Sequence, residues 1–143
     1  MGINMKASIV LVVLLLAGCT GQQVTNPASG ASWSADELGD PVAARWSLAD
    51  PRASPDPGTT ELALMIAEVP CSSGSPIEGR TALPVIETSA SSVTITIKVR
   101  QLVGGFQTCP LHLWPMTVRL PEPLGGRQLL DGGQVPPAPP QVP

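Results

Sequence analysis

One histidine, three cysteines and eleven carboxylates are the residues with which this 143-residue chain could do chemistry. Cys109-Pro110-Leu111-His112 places a base three positions after a thiol. A cysteine nucleophile would need that thiol free and a third group to orient the base. A Ser–His–Asp triad would have to use His112, because the chain has one His, and no G-x-S-x-G elbow accompanies it. There is no C-x-x-C pair and no second His, so a structural zinc site is not expected. Asp36, Glu37 and Asp40 are the closest acidic cluster. No EF-hand loop surrounds them, and they read as helix-start residues rather than calcium ligands. Gly125-Gly126-Arg127 and Gly132-Gly133 form neither a dinucleotide fingerprint nor a Walker loop, and read as turns. No catalytic residue, cofactor or metal is therefore expected, and the chain reads as non-enzymatic.

The third cysteine stands apart. Lys6 is followed by the ten-residue run Ala7-Ser8-Ile9-Val10-Leu11-Val12-Val13-Leu14-Leu15-Leu16. A helix needs about 20 apolar residues to cross a bilayer, so this run is too short. A positive start, a short apolar run and small residues are the anatomy of a secretory signal. Leu16-Ala17-Gly18-Cys19 resembles the lipobox that ends bacterial lipoprotein signals. The resemblance implies cleavage before Cys19 and a diacylglycerol thioether on its sulfur, with the palmitate-type chains of such anchors. Two chains hold a protein on a membrane stably where one does not. The expected location is the extracytoplasmic face of the cell membrane.

With Cys19 lipidated, Cys71 and Cys109 remain. An exported domain lies in an oxidising compartment, so these two are expected to pair. Their 38-residue separation makes the link worth roughly 3–4 kcal/mol on the chain-entropy model. Cys71-Ser72-Ser73-Gly74, Gly79-Arg80, Cys109-Pro110 and the run Leu120-Pro121-Glu122-Pro123-Leu124-Gly125-Gly126-Arg127-Gln128-Leu129-Leu130-Asp131-Gly132 resemble small actinobacterial lipoproteins of unknown function. That resemblance implies an exported domain with cysteines at these positions. It carries no activity, and His112-Leu113-Trp114 lies outside it.

The elements that must position these residues follow from composition and period. Charged residues make up 13% and hydrophobic residues 43%, and 17 Pro with 14 Gly argue against a helical bundle or coiled coil. Removing residues 1–18 takes Lys6 away and leaves seven basic against eleven acidic residues, so no basic surface points to nucleic acid. Val93, Ile95, Ile97 and Val99 alternate with Thr94, Thr96, Lys98 and Arg100, a half-buried strand. Met116, Val118 and Leu120 alternate likewise. Glu61 to Val69 is apolar on both faces and reads as a central strand. Ala82 to Thr88 contains Pro84 and reads as an edge strand. Arg127 to Leu130 reads as a short last strand. Gly104-Gly105 fits a hairpin that would pair Val103 with Phe106 and Arg100 with Cys109, with a bulge or longer loop as the alternative.

The expected fold is all-β: a small antiparallel β-sandwich, immunoglobulin-like in one version, closed by one disulfide. The expected organisation is a signal peptide over 1–18, a flexible lipid-anchored tether over 19–58, the sandwich over 59–133 and a Pro-rich disordered tail over 134–143. Within the tether, Ser34 and Glu37 fit a capping box, and Asp40-Pro41 fits the start of a short helix over 41–48 that puts Val42 and Trp46 on one face. Trp33 and Trp46 then dock this arm onto the domain or remain in a linker. His112 and Trp114 flank a strand and could meet a partner protein or a glycan. The alternative is that Trp114 fills one end of an aromatic-poor core. Function reads as a structural or binding module of the envelope. The alternatives are a small envelope hydrolase using His112 and an accessory subunit of a membrane complex.

Overall fold

A computed structural model describes residues 32–69, 71–104 and 107–141. Its strands are β1 (Leu38–Leu48), β2 (Glu61–Ala67), β3 (Val85–Thr88), β4 (Ser92–Leu102), β5 (Leu113–Arg119) and β6 (Gln128–Asp131). The chain is all-β, sandwich-like and closed by the Cys71–Cys109 disulfide. The strand path is β3-β4-β1-β2-β5, antiparallel throughout, and β6 adds to β4 as the single parallel pair.

β4 and β5 fall where period-two alternation placed them, and β2, β3 and β6 lie within or close to the segments read as a central, an edge and a short last strand. Val93, Ile95, Ile97 and Val99 of β4 are all buried, and Leu62, Leu64 and Ile66 of β2 face them with Val118 of β5. β3 lies at one end of the path, beginning just after Pro84, and β2 sits centrally between β1 and β5.

Three expectations are corrected. First, residues 41–48 are not a helix but most of β1, the strand that joins the β4 ladder to the β2 ladder. Its first half pairs with β4, from Pro41↔Arg100 to Ala44↔Ile97; its second half pairs with β2, from Arg45↔Ala67 to Leu48↔Leu64. Val42 and Trp46 are four apart, which suits a helix, but Ala44 and Trp46 are two apart and both fully buried. Ladders on both halves of the strand override the local start signal at Asp40-Pro41. Pro41 fits because the register shifts between Leu38 and Pro41, and the Arg100 guanidinium donates to the carbonyls of Leu38 and Gly39 at that irregularity. The domain thus begins well before residue 59. Trp46, expected in a docked arm or a linker, is at the centre of the core.

Second, β4 and β5 do not pair with each other as the expected hairpin requires. Arg100 pairs with Pro41, not Cys109, and β5 pairs with β2 over seven residues, from Glu61↔Arg119 to Ala67↔Leu113. Packing of Met116 and Val118 onto the β2 core face outweighs a local turn. Gly105 and Phe106 lie outside the described residues.

Third, the described part of the Pro-rich tail folds back instead of trailing away. Asp131 N–H donates to the Ala138 carbonyl at 2.7 Å, and the Gln134 amide donates to the Pro139 carbonyl at 3.3 Å. Proline carbonyls still accept hydrogen bonds although proline nitrogens cannot donate.

Where β1 leaves β4 at Ala44, β6 takes its place on β4, and a fork results. The Trp46 indole and the Gly132 N–H both donate to the Ile95 carbonyl at 2.9 Å. Asp131 fills the fork: its carboxylate accepts the N–H of Gly133 at 2.8 Å and the side-chain amide of Gln134 at 3.4 Å.

Candidate functional site

The loops 68–81 and 103–112 meet at the end of the molecule where β1 begins and β4 finishes. Ser73 N–H donates to the Thr108 carbonyl, Thr108 N–H to the Ser73 hydroxyl, and Val103 N–H to the Glu37 carbonyl, at 2.9, 2.9 and 3.0 Å. The Cys71–Cys109 disulfide staples the first two loops together, with Cα atoms 4.4 Å apart. Cys109 is exposed, so the bridge ties surface loops and does not sit in the core. Both sulfurs are consumed in this bond, so Cys109 offers His112 no free thiol in this structure.

Under the loops lies a buried cation that sequence reasoning missed. Arg80 is fully buried beside the almost fully buried Glu68. Its Nη1 and Nη2 grip the two Glu68 oxygens at 2.6 and 2.8 Å. Nη1 also donates to the Arg100 carbonyl, Nη2 to the Ser75 carbonyl and Nε to the Pro76 carbonyl, at 2.9, 3.0 and 2.9 Å. A guanidinium has five N–H donors, and all five are used. No donor is left for a ligand, so Arg80 organises the loop and is not itself a binding residue. The Trp33 ring lies over the guanidinium at 5.5 Å, and its indole donates to the Glu78 carbonyl at 2.9 Å. Trp33 thus docks the incoming chain onto the domain, as one reading of the sequence had it. The Arg80 signal in the sequence was faint: one of only eight basic residues, set among Pro, Gly and Ser.

His112 is exposed and stacks on Trp114, with centroids 5.9 Å apart and planes inclined by 23°. Its other side is set by Gly74, in the left-handed region at φ +74°, where a Cβ would come within 2.7 Å of His112 Nε2. Trp114 is half-buried and packs on the core, and its Nε1 is buried without an acceptor among the described residues. Trp114 therefore fills the end of the core, while His112 and the 67% exposed Leu111 face outward.

Asp36, Glu37 and Asp40 are exposed. Asp36 and Glu37 sit on the 3₁₀ turn Ala35–Glu37, where the hydroxyl and backbone N–H of Ser34 donate to Glu37 at 2.6 and 2.8 Å and hold its carboxyl below the ordinary value. Burial pushes the Asp131 carboxyl upward against the N–H bonds of the fork. Among the described residues, no three His, Cys, Asp or Glu side chains are grouped to hold a metal ion. A cavity of about 270 Å³ opens at the opposite end, under the 49–60 loop, between Leu48, Ala53, Thr59 and Leu62. Its carboxylates are already engaged: Asp50 accepts the Arg52 N–H at 2.9 Å, and Glu61 pairs with Arg119 at 3.5 Å. Cys19 lies outside the described residues.

The class defined here is a disulfide-stapled all-β domain whose entering chain is pinned by a tryptophan over a saturated arginine. No protein-family model, curated protein or solved structure matches the chain.

Proposed function

We propose that this chain is a lipid-anchored lipoprotein of the bacterial envelope, acylated at Cys19 and working without catalysis as a structural or binding module. The observation that carries the reading is the pairing of Cys71 with Cys109, which suits an oxidising, exported location and leaves Cys19 as the one cysteine outside the bond. Leu16-Ala17-Gly18-Cys19, after Lys6 and the apolar run, supplies the modification signal. His112 makes no side-chain hydrogen bond to a carboxylate or a hydroxyl among the described residues, which favours a binding role over the alternative of an envelope hydrolase. An envelope protein or glycan meeting His112 and Leu111, or service as an accessory subunit of a membrane complex, fits the same surface.

Intact mass of the native protein tests the reading. The expected species starts at Cys19 and carries a diacylglycerol adduct, and Cys19→Ser moves the protein out of the membrane fraction. A native species beginning at Met1 without an acyl chain overturns it.

A further inference from the structure

The outer face of β2 and β5 is polar at one end, where Glu61, Thr117 and Arg119 stand exposed, and apolar at the other. Leu62, Leu64 and Ile66 point into the core; on the other side Met65 is half-buried and Ala67 buried, and Leu113 and Pro115 lie opposite them in the paired register. The alternation continues past the ladder to Val69 and Leu111. Val69 is 60%, Leu111 67% and Leu113 37% exposed. Val69 and Leu111 are mostly open and Leu113 partly so, and an exposed apolar strip of this kind marks an interaction surface.

The position of the strip selects its occupant. Val69 directly follows Glu68, which Arg80 grips, and the Trp33 ring covers Arg80. The chain thus enters the domain beside the strip. Thirteen residues separate Cys19 from Trp33, a reach of at most about 50 Å at up to 3.6 Å per step, so any face could turn toward the anchoring surface. The strip decides which face does. We infer that the Val69–Leu111–Leu113 end of the outer sheet face rests on the lipid surface that holds the anchor, with Trp33 at the interface, a place Trp favours. This rests on the acylation of Cys19 proposed above. Asp36, Glu37 and Asp40 stand exposed near the same end, so the contact draws on apolar area and not on attraction to anionic headgroups.

The test uses the full acylated protein in phosphatidylcholine vesicles. A nitroxide is placed by Leu111→Cys or, as the control at the opposite end, by Gly126→Cys, where an added side chain meets nothing within 4 Å. Accessibility to oxygen relative to a water-soluble nickel chelate is expected to be at least threefold higher at residue 111 than at residue 126. Adding anionic lipid is expected to lower that ratio and salt to restore it. Equal accessibility at the two positions in protein that carries its acyl chain and floats with the vesicles overturns this inference and leaves the anchor standing. Missing acylation in the intact mass overturns both. Protection at residue 111 that grows with the protein-to-lipid ratio assigns the strip to a second copy of the chain, and also overturns the inference.

Discussion

At the scale of single residues, two carboxylates respond to acid in opposite directions. Glu37 is hydrogen-bonded as the anion and its folded pKa is lowered, so its contribution is present above its unfolded value of 4.5 and is lost as pH falls through the folded value. Asp131 is desolvated and its folded pKa is raised from 3.8, so the folded state binds its proton more tightly than the unfolded chain does. Its contribution is greatest at low pH and declines as pH rises through the raised value. Urea unfolding of wild type and Asp131→Asn from pH ~4 to ~7 should therefore show the variant gaining relative to wild type as pH rises. Parallel curves would mean that the fork does not perturb Asp131. The Arg80–Glu68 pair behaves differently. A buried pair often adds little over an apolar substitute, but removing one member strands the other. Arg80→Met should cost about 3–5 kcal/mol in chemical unfolding, and Arg80→Met with Glu68→Leu should recover part of that loss. A double variant as unstable as the single one would locate the cost in the lost carbonyl contacts of Ser75, Pro76 and Arg100.

At the scale of elements, β4 was legible because β-branched residues alternate strictly with polar ones over eight positions, a pattern no other element can satisfy. β1 was not legible. Its sequence Leu-Gly-Asp-Pro-Val-Ala-Ala-Arg-Trp-Ser-Leu contains a helix-start signal and little β-branching, and its extended form exists only because two different strands pair with its two halves. Such a strand is specified by tertiary partners absent from any local window. The same holds for the glycines after β6. They read as a turn, yet a Cβ on Gly133 would lie 2.2 Å from the Ala44 carbonyl oxygen, a backbone atom at the point where β1 leaves β4. Gly133→Ala should destabilise the domain by at least about 2 kcal/mol, because the fork must open to admit the methyl group. Gly126→Ala, in open space, should stay within about 0.5 kcal/mol of wild type. Equal stability of the two variants would show that the fork is more pliable than its geometry implies.

At the scale of the whole molecule, sequence reasoning anticipated the Cys71–Cys109 pair from compartment logic alone, but not its placement. The bond lies outside the core, which is built around Trp46, Leu64, Ile66 and the inward side of β4. Reduction removes a constraint on the unfolded chain worth roughly 3–4 kcal/mol for a 38-residue separation. A domain of this size has about 5–15 kcal/mol in total, so the reduced protein should remain folded with a lower unfolding midpoint. What reduction releases locally is set by the other ties of each loop. The 76–81 stretch stays fastened by Arg80 to Glu68 and to the Arg100 carbonyl, and by the Arg100 N–H to the Arg80 carbonyl. Among the described residues, the 72–75 and 107–109 stretches keep the exposed bonds around Ser73, Gln107 and Thr108, the Ser75 N–H to the Ser72 carbonyl, and the Ser75 carbonyl under Arg80. Hydrogen exchange on the reduced protein should therefore accelerate first at the Ser73 and Thr108 amides, while the Arg80 and Arg100 amides keep their protection. Simultaneous loss at all four would mean that the arginine pin depends on the disulfide, and that the end of the domain is one cooperative unit held by a single covalent bond.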